Sequence, residues 1–299
     1  MNRRNFIKKT GLAATLTALS YRELTAKAFM AEYKMRALRR NVGVFTERGG
    51  TIAWMISPSG LVVVDTQFPE QAGHLIEEIK KQSERKIDLL INTHHHGDHS
   101  GGNIAFKDLT EKVVAHENSK ANQERVAKAR NREEGQLYPD TTYTDTWSQK
   151  VGDETISLQY FGAGHTNGDS LVHFEEANIV HLGDLLFNRR FPFIDRTAGA
   201  SIANWIKVLG KAQKTFDAET MFVFGHAREA DQIVGTMDDL KLKADFLGKL
   251  LETVEKEIKA GKSEDEILDS VSTIPGAPEF QGRGIQRCLT AAYQELTEK

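Results

Sequence analysis

The chain alternates short apolar runs with charged, helix-periodic stretches. Residues 51–56 and 61–65 are apolar and β-branched around the turn-rich tetrapeptide Ser57-Pro58-Ser59-Gly60, a pattern that predicts two strands of a hairpin. Further strand-like runs cover 87–91, 112–115, 155–161, 171–174, 178–182 and 221–224, the fourth and fifth forming a second hairpin. Residues 69–82 set Leu75, Ile76 and Ile79 among charges, which predicts an amphipathic helix. Gly101-Gly102 opens another helical stretch, and 117–134 is charged and helical in composition. Residues 135–147 form a long polar segment carrying Tyr138, Tyr143 and Trp147, either a solvated excursion or a wall over a pocket.

Residues 238–260 place Leu240, Leu242, Phe246, Leu250, Val254 and Ile258 near one helical face. Shorter helices at 264–270 and 284–296 flank Pro275-Gly276-Ala277-Pro278. Repeated strand-then-helix units predict an α/β sandwich, two sheets covered by helices and sharing an open edge. The expected organisation is a leader at 1–28, a main domain at 29–235 and a helical extension at 236–299, packed on the core or on a second subunit. No internal repeat is present, and the oligomeric state is not legible.

The 299 residues suffice for one large, well-buried core, and a formal net charge of −3 argues against a nucleic-acid partner. The charge is unevenly spread. Residues 1–28 carry six Lys/Arg and one Glu, which leaves the remainder at −8. Paired Arg3-Arg4 before Phe6-Ile7-Lys8, a mildly apolar stretch at 11–19 and Ala26-Lys27-Ala28 resemble a twin-arginine export signal. That reading predicts a periplasmic or secreted protein with no stable membrane anchor after cleavage. The alternative is an ordinary amphipathic helix, since 21–40 also has helical composition. The single cysteine, Cys288, excludes an internal disulfide and is expected to be a buried helix residue.

The candidate chemistry is concentrated in His94-His95-His96-Gly97-Asp98-His99, where His94, His96, Asp98 and His99 put four potential metal ligands in six residues after an apolar run. Imidazole and carboxylate are the donors a borderline ion such as Zn²⁺ takes. In extended backbone His94 and His96 share a side while His95 points away. Asp98 and His99 follow the Gly97 turn and aim elsewhere, which suggests a second ion. Four ligands do not close two sites. His165, Asp184 and His226 each stand next to a glycine at the carboxyl end of an apolar run, in Gly164-His165-Thr166, Gly183-Asp184-Leu185 and Gly225-His226-Ala227. One rim of a sheet can hold them all. His74, His173 and His181 read as structural or surface histidines; His116 is ambiguous.

THHHGDHSGGN, GHT, GDLLF and FGHA, in that order, resemble the successive metal motifs of the metallo-β-lactamase-fold hydrolases, over about residues 42–231. The resemblance implies a four-layer αββα sandwich and two zinc ions. His94, His96 and His165 would hold one, Asp98, His99 and His226 the other, with Asp184 bridging. Asp65, closing Leu61-Val62-Val63-Val64, matches an aspartate that supports the ligands. Water between two such ions loses a proton near neutral pH, its pKa lowered to about 7, and attacks a carbonyl or phosphoryl group. Asp98 and Asp184 are then ligands and charge balance, and either can orient the attacking hydroxide. Several true β-lactamases of this fold carry cysteine where this chain has Asp184, which puts the antibiotic-cleaving branch in doubt.

The expected activity is that of an exported hydrolase acting on a small carbonyl substrate, a cyclic amide or ester such as a β-lactam or lactone. The alternatives are a glyoxalase II-like thioesterase and a non-catalytic zinc-binding protein of the same fold. Arg189 and Arg190 either hold a substrate carboxylate or are solvated.

Overall fold

The computed structural model describes residues 33–298. The leader at 1–28 lies outside them. The fold that follows is that of the compact unit Met35–Lys299, whose first strand begins at Lys34.

Among the described residues, seven strands form one sheet in chain order: Lys34–Arg39 (β1), Val42–Thr46 (β2), Ile52–Ser57 (β3), Gly60–Val64 (β4), Leu89–Ile91 (β5), Val113–His116 (β6) and Thr141–Tyr143 (β7). The expected hairpin is β3–β4, antiparallel with Ala53 opposite Val64. From β4 onward the pairing is parallel, β4–β5–β6–β7. A second sheet holds Thr146–Val151 (β8), Glu154–Gln159 (β9), Leu171–Phe174 (β10), Ile179–His181 (β11), Met221–Val223 (β13) and Val234–Gly235 (β15), in the order β15-β13-β11-β10-β9-β8. Phe187–Asn188 (β12) and His226–Ala227 (β14) make a small parallel pair between them in sequence.

Period-2 alternation sorts the side chains between two cores. Val62, Val64, Leu89, Ile91, Ile156, Leu158, Val172, Phe174 and Ile179 fill the space between the sheets. Leu171 and Val180 point to the opposite face of the second sheet, where they meet helices. Those helices are Ile202–Thr215 (α4), Met237–Lys259 (α5), Glu264–Ser270 (α6) and Ile285–Thr297 (α7). Trp205, Leu209, Leu240, Phe246, Leu250, Val254, Cys288 and Leu289 make one apolar cluster with that sheet face. The C-terminal helices thus continue the core. Helix α5 starts at a capping box, Thr236 and Asp239 satisfying each other's backbone N–H groups, and Ser263 with Glu266 does the same for α6.

On the first sheet, Pro69–Lys80 (α1) starts with proline in its first turn and buries Ala72, Leu75, Ile76 and Ile79. Helix Glu117–Ala129 (α3) follows β6. Two sheets with helices outside give the αββα sandwich that the motif order implies.

Three expectations are corrected. Residues 34–39 form a strand, where the composition of 21–40 suggests helix. Gly101–Phe106 is a 3-10 helix, preceded by a single α-turn at Gly97–Ser100 (α2). The polar segment 135–147 is no solvated excursion: it supplies β7 and the start of β8, and buried Tyr143 donates to Ser170 Oγ at 2.6 Å.

Candidate metal centre

Strand ends deliver every candidate ligand. His94 and His96 lie on the extended link between β5 and α2, and Asp98 and His99 on the α2 turn. His165 follows β9. Asp184 lies on the 3-10 turn Gly183–Leu185 after β11, and His226 opens β14 after β13. All seven converge.

His94 Nε2 and His165 Nε2 lie 3.1 and 3.0 Å from His96 Nδ1. Asp184 Oδ2 is 3.5 Å from His165 Nε2 and 3.9 Å from His94 Nε2. Beside them, His99 Nε2 lies 3.4 Å from His226 Nε2, and Asp98 Oδ2 lies 3.2 Å from the latter. Asp184 Oδ1 faces this second group, 3.0 Å from His99 Nε2 and 3.5 Å from His226 Nε2. Each oxygen of one carboxylate therefore serves a different set.

The donors fit divalent cations. Four donors set tetrahedrally 2.0–2.1 Å from a zinc ion lie about 3.4 Å apart, the spacing found among these nitrogens. The outer ring atoms are fixed by bonds that leave the inner ones bare. His99 Nδ1 donates to Asp65 Oδ2 at 2.7 Å, His165 Nδ1 to the Phe193 carbonyl at 2.8 Å, and His96 Nε2 to Asp195 Oδ2 at 2.9 Å. Thr93 Oγ1 donates to Asp65 Oδ2 at 2.7 Å, so at 3.1 Å it accepts from His94 Nδ1. These tautomers follow from the network. Asp184 Oδ1 is buried and has no directed hydrogen bond, an orphan that a cation would satisfy.

Electrostatics divide the imidazoles into two kinds. Burial pushes the His165 imidazole down to about 3 and His94 well below its usual value, so both are neutral, as ligands must be. Burial also opposes a charged His99, but Asp184, Asp65 and Asp98 override it and hold that imidazole well above its usual value. Burial would raise Asp184, yet His226 and His99 keep it well below the carboxylate range. Asp98 is held at about 2 against burial, chiefly by His99 and His226. A pocket of carboxylates this deep needs a positive charge inside it.

The backbone is strained where it approaches the site. Asp65 and Gln67 have φ of 65° and 53°, left-handed values unfavourable for non-glycine residues. Asp65 N–H donates to the Ile91 carbonyl at 2.7 Å and Gln67 Nε2 to the Gly50 carbonyl at 2.6 Å, which hold the turn. Of the glycines beside the ligands, Gly183 is left-handed at φ 51°, as a sharp turn requires. Gly225 has a different reason: a Cβ there would collide with Asp184 Oδ1.

His95 belongs to another group. Its Nε2 lies 3.6 Å from Asp195 Oδ2, and with His96 and Asp195 it forms a third His/Asp cluster. The motifs do not single out Asp195. Its signal is an acid closing the apolar stretch Phe191-Pro192-Phe193-Ile194, the same signature as Asp65. Asp169 is a further buried acid, accepting from Thr166 N–H and Oγ1 and so locking the turn after His165.

The remaining histidines are engaged elsewhere. His74 pairs with Glu47 at 2.9 Å, and His181 Nε2 donates to the Thr51 carbonyl while its Nδ1 accepts from Gly183 N–H. His173 packs against Phe216. His116 caps α3, bonds the Thr144 carbonyl and stacks on Tyr160, which removes it from the ligand set. Arg189 is held by Asp239 at 3.0 Å and by Asn188.

Two imidazole and carboxylate sets on one sheet rim, joined by a shared aspartate, define a metal-dependent hydrolase of the αββα class. A family profile, the metallo-beta-lactamase superfamily, matches residues 46–226, and the chain belongs to that superfamily. Metallo-beta-lactamase type 2 of Elizabethkingia meningoseptica is 26% identical over 210 residues, 67% of this chain and 81% of that protein. The metallo-beta-lactamase from Pontibacter korlensis superposes with a TM-score of 0.61 at 19% identity, covering 73% of this chain and 99% of that one. A double mutant of the sec-alkyl sulfatase PisA1 superposes with a TM-score of 0.66 at 14% identity, covering 89% of this chain and 50% of that one. At these identities the two structures establish the fold alone.

Proposed function

We propose that the chain is an exported hydrolase that binds two zinc ions and opens a small carbonyl substrate, a cyclic amide or ester such as a β-lactam or lactone. The carrying observation is Asp184, whose Oδ2 faces His94 and His165 while its Oδ1 faces His99 and His226. His94, His96 and His165 would hold one ion, Asp98, His99 and His226 the other. When bound, such ions lower the pKa of water to about 7 and polarise a carbonyl oxygen. The chain's own part is to position. Asp98, partly exposed and ionised, accepts a hydrogen bond from the attacking water and orients it. Asp65, Asp195 and the Phe193 carbonyl keep the imidazoles in the required tautomer.

Relatives named metallo-beta-lactamases support a β-lactam or related substrate, and aspartate at position 184 supports the broader carbonyl class. Paired Arg3-Arg4 supports export. The test is turnover by the zinc-loaded protein across β-lactam, lactone, thioester and phosphodiester panels, beside His96→Ala and Asp184→Ala. Cyclic amide or ester hydrolysis lost by at least 10³-fold in both variants is expected. Turnover confined to thioesters or phosphodiesters, or unchanged in the variants, contradicts the reading.

A further inference from the structure

Helix α7 lies outside the stretch that the family profile matches, yet it grips the segment that supports His96 and His165. Near its start, Cys288 Sγ donates to the Pro192 carbonyl at 3.2 Å, and the Arg287 guanidinium lies 5.6 Å from the centroid of the Phe193 ring. Near its end, Glu295 accepts from the Ile202 and Ala203 N–H groups at 2.7 and 2.8 Å and from Ser201 Oγ at 3.2 Å, and it pairs with Arg196 at 3.3 Å. The first-turn donors of α4 thus find their acceptor in another helix. Cys288 and Glu295 stand about two turns apart, so both grips come from one face of α7.

The gripped segment holds two ligands of one set. Asp195 Oδ2 accepts from His96 Nε2, and the Phe193 carbonyl accepts from His165 Nδ1. Its backbone is stitched to the loop that carries His165. Asp195 N–H donates to the His165 carbonyl at 3.2 Å, Ser201 N–H to the Gly164 carbonyl at 3.1 Å and Asn204 Nδ2 to the Ala163 carbonyl at 2.7 Å. Ser201 is therefore tied to Gly164 by its backbone and to Glu295 by its hydroxyl. The second set has other supports. His99 is held by Asp65 at the end of β4, the Asp98 carbonyl accepts from Gly50 N–H, and His226 stacks on Phe187.

Resting on the two-ion reading, we infer that Glu295 is a positioning residue, anchoring the segment 192–204 so that His96 and His165 are held for the ion they share with His94. Without its carboxylate, the Ile202 and Ala203 N–H groups lose their acceptor and the segment loses its hold on both rings. The C-terminal helix then sets the affinity of one metal site and leaves its neighbour alone. A general packing defect would weaken both, because the sheet rim and Asp184 are common to them.

Stepwise chelator competition reads the two zinc affinities of the full chain, each step assigned by its loss in His165→Ala or His226→Ala. Glu295→Ala should weaken the His165 step about tenfold, the low end of the cost of losing a ligand's support, and leave the His226 step within about twofold. Glu295→Gln, which keeps an acceptor oxygen but no charge for Arg196, should recover part of that loss. It carries the test if the alanine variant fails to fold, with a loss of about threefold then expected. Glu298→Ala, which removes the exposed second partner of Arg196 on the same helix, should change neither step. Amide exchange of the metal-free chain reads the grip without zinc: Glu295→Ala should speed exchange over 193–203 and 163–166 and leave 63–67 and 224–227 unchanged. An unchanged His165 step, equal weakening of both steps, or exchange altered uniformly overturns the role of Glu295. A natural protein that binds fewer than two ions, or hydrolyses nothing, counts against the proposed function instead, and the exchange pattern alone then decides for or against Glu295.

Discussion

At the scale of single residues, the metal ligands depend on side chains that hold other side chains. Asp195 fixes the ring of His96 through its outer nitrogen, at 2.9 Å. Removal of such a support typically costs 10–100-fold in metal affinity. Asp195→Ala should therefore weaken zinc binding by about that factor in a chelator competition, with Asp195→Asn recovering part of it; unchanged affinity in the alanine variant would show that the contact is incidental. Lys243 poses a different problem. It is fully buried, its Nζ has no hydrogen-bond partner, and it lies 4.8–5.5 Å from the ring centroids of Trp205, Phe246, Phe187 and Phe280. Burial pushes its amine down to about 7, opposed by Cys288 and Asp184. The unfolded chain holds that proton up to the ordinary value of 10.5, so between about 7 and 10.5 the unfolded state binds more protons and stability rises with pH. Lys243→Met should abolish that slope and raise stability at neutral pH, read by urea unfolding at several pH values. A variant with the same slope, or less stable at pH 7, contradicts this.

The ligands were legible because metal chemistry restricts residue type and the α/β layout restricts place: each stands where an apolar run ends. Asp195 escaped because it lies outside the successive motifs, although like Asp65 it closes an apolar run. Lys243 escaped for a different reason, since it occupies the buried face of its helix between Leu240 and Phe246, where periodicity expects an apolar residue.

Among the elements, those with strong local signals appear where the pattern puts them. The hairpin around Ser57-Pro58-Ser59-Gly60, the helix with Leu75, Ile76 and Ile79, and the long helix from Met237 agree with the pattern to within a residue or two. The strands at Lys34–Arg39 and Thr141–Tyr143 do not follow from local sequence. Both are terminal strands of the same sheet, half-exposed and polar, and their conformation is set by the neighbour they pair with rather than by their own propensity. The capping box at Thr236, by contrast, is a local device that starts a 23-residue helix packed on the second sheet. Thr236→Ala should cost about 1 kcal/mol in unfolding free energy with the cooperativity of the transition unchanged. A loss well below that, measured by urea denaturation, would mean that tertiary packing alone fixes where the helix begins.

Across the whole molecule, two sheets with helices outside leave one rim on which distant segments meet, and the ligands from 94 to 226 tie those segments together. Because ions bind the folded chain and not the unfolded one, chelation should lower the thermal midpoint, and readdition should restore it. The linkage amounts to about 4 kcal/mol per site when free zinc exceeds the dissociation constant a thousandfold.

Two ions sharing Asp184 would be seen in an anomalous difference map collected at the zinc edge from crystals of the zinc-loaded protein. Two peaks about 3.5–4 Å apart are expected, one within the triad His94, His96 and His165, the other within Asp98, His99 and His226, with Asp184 between them. A single peak, or peaks away from Asp184, would contradict it.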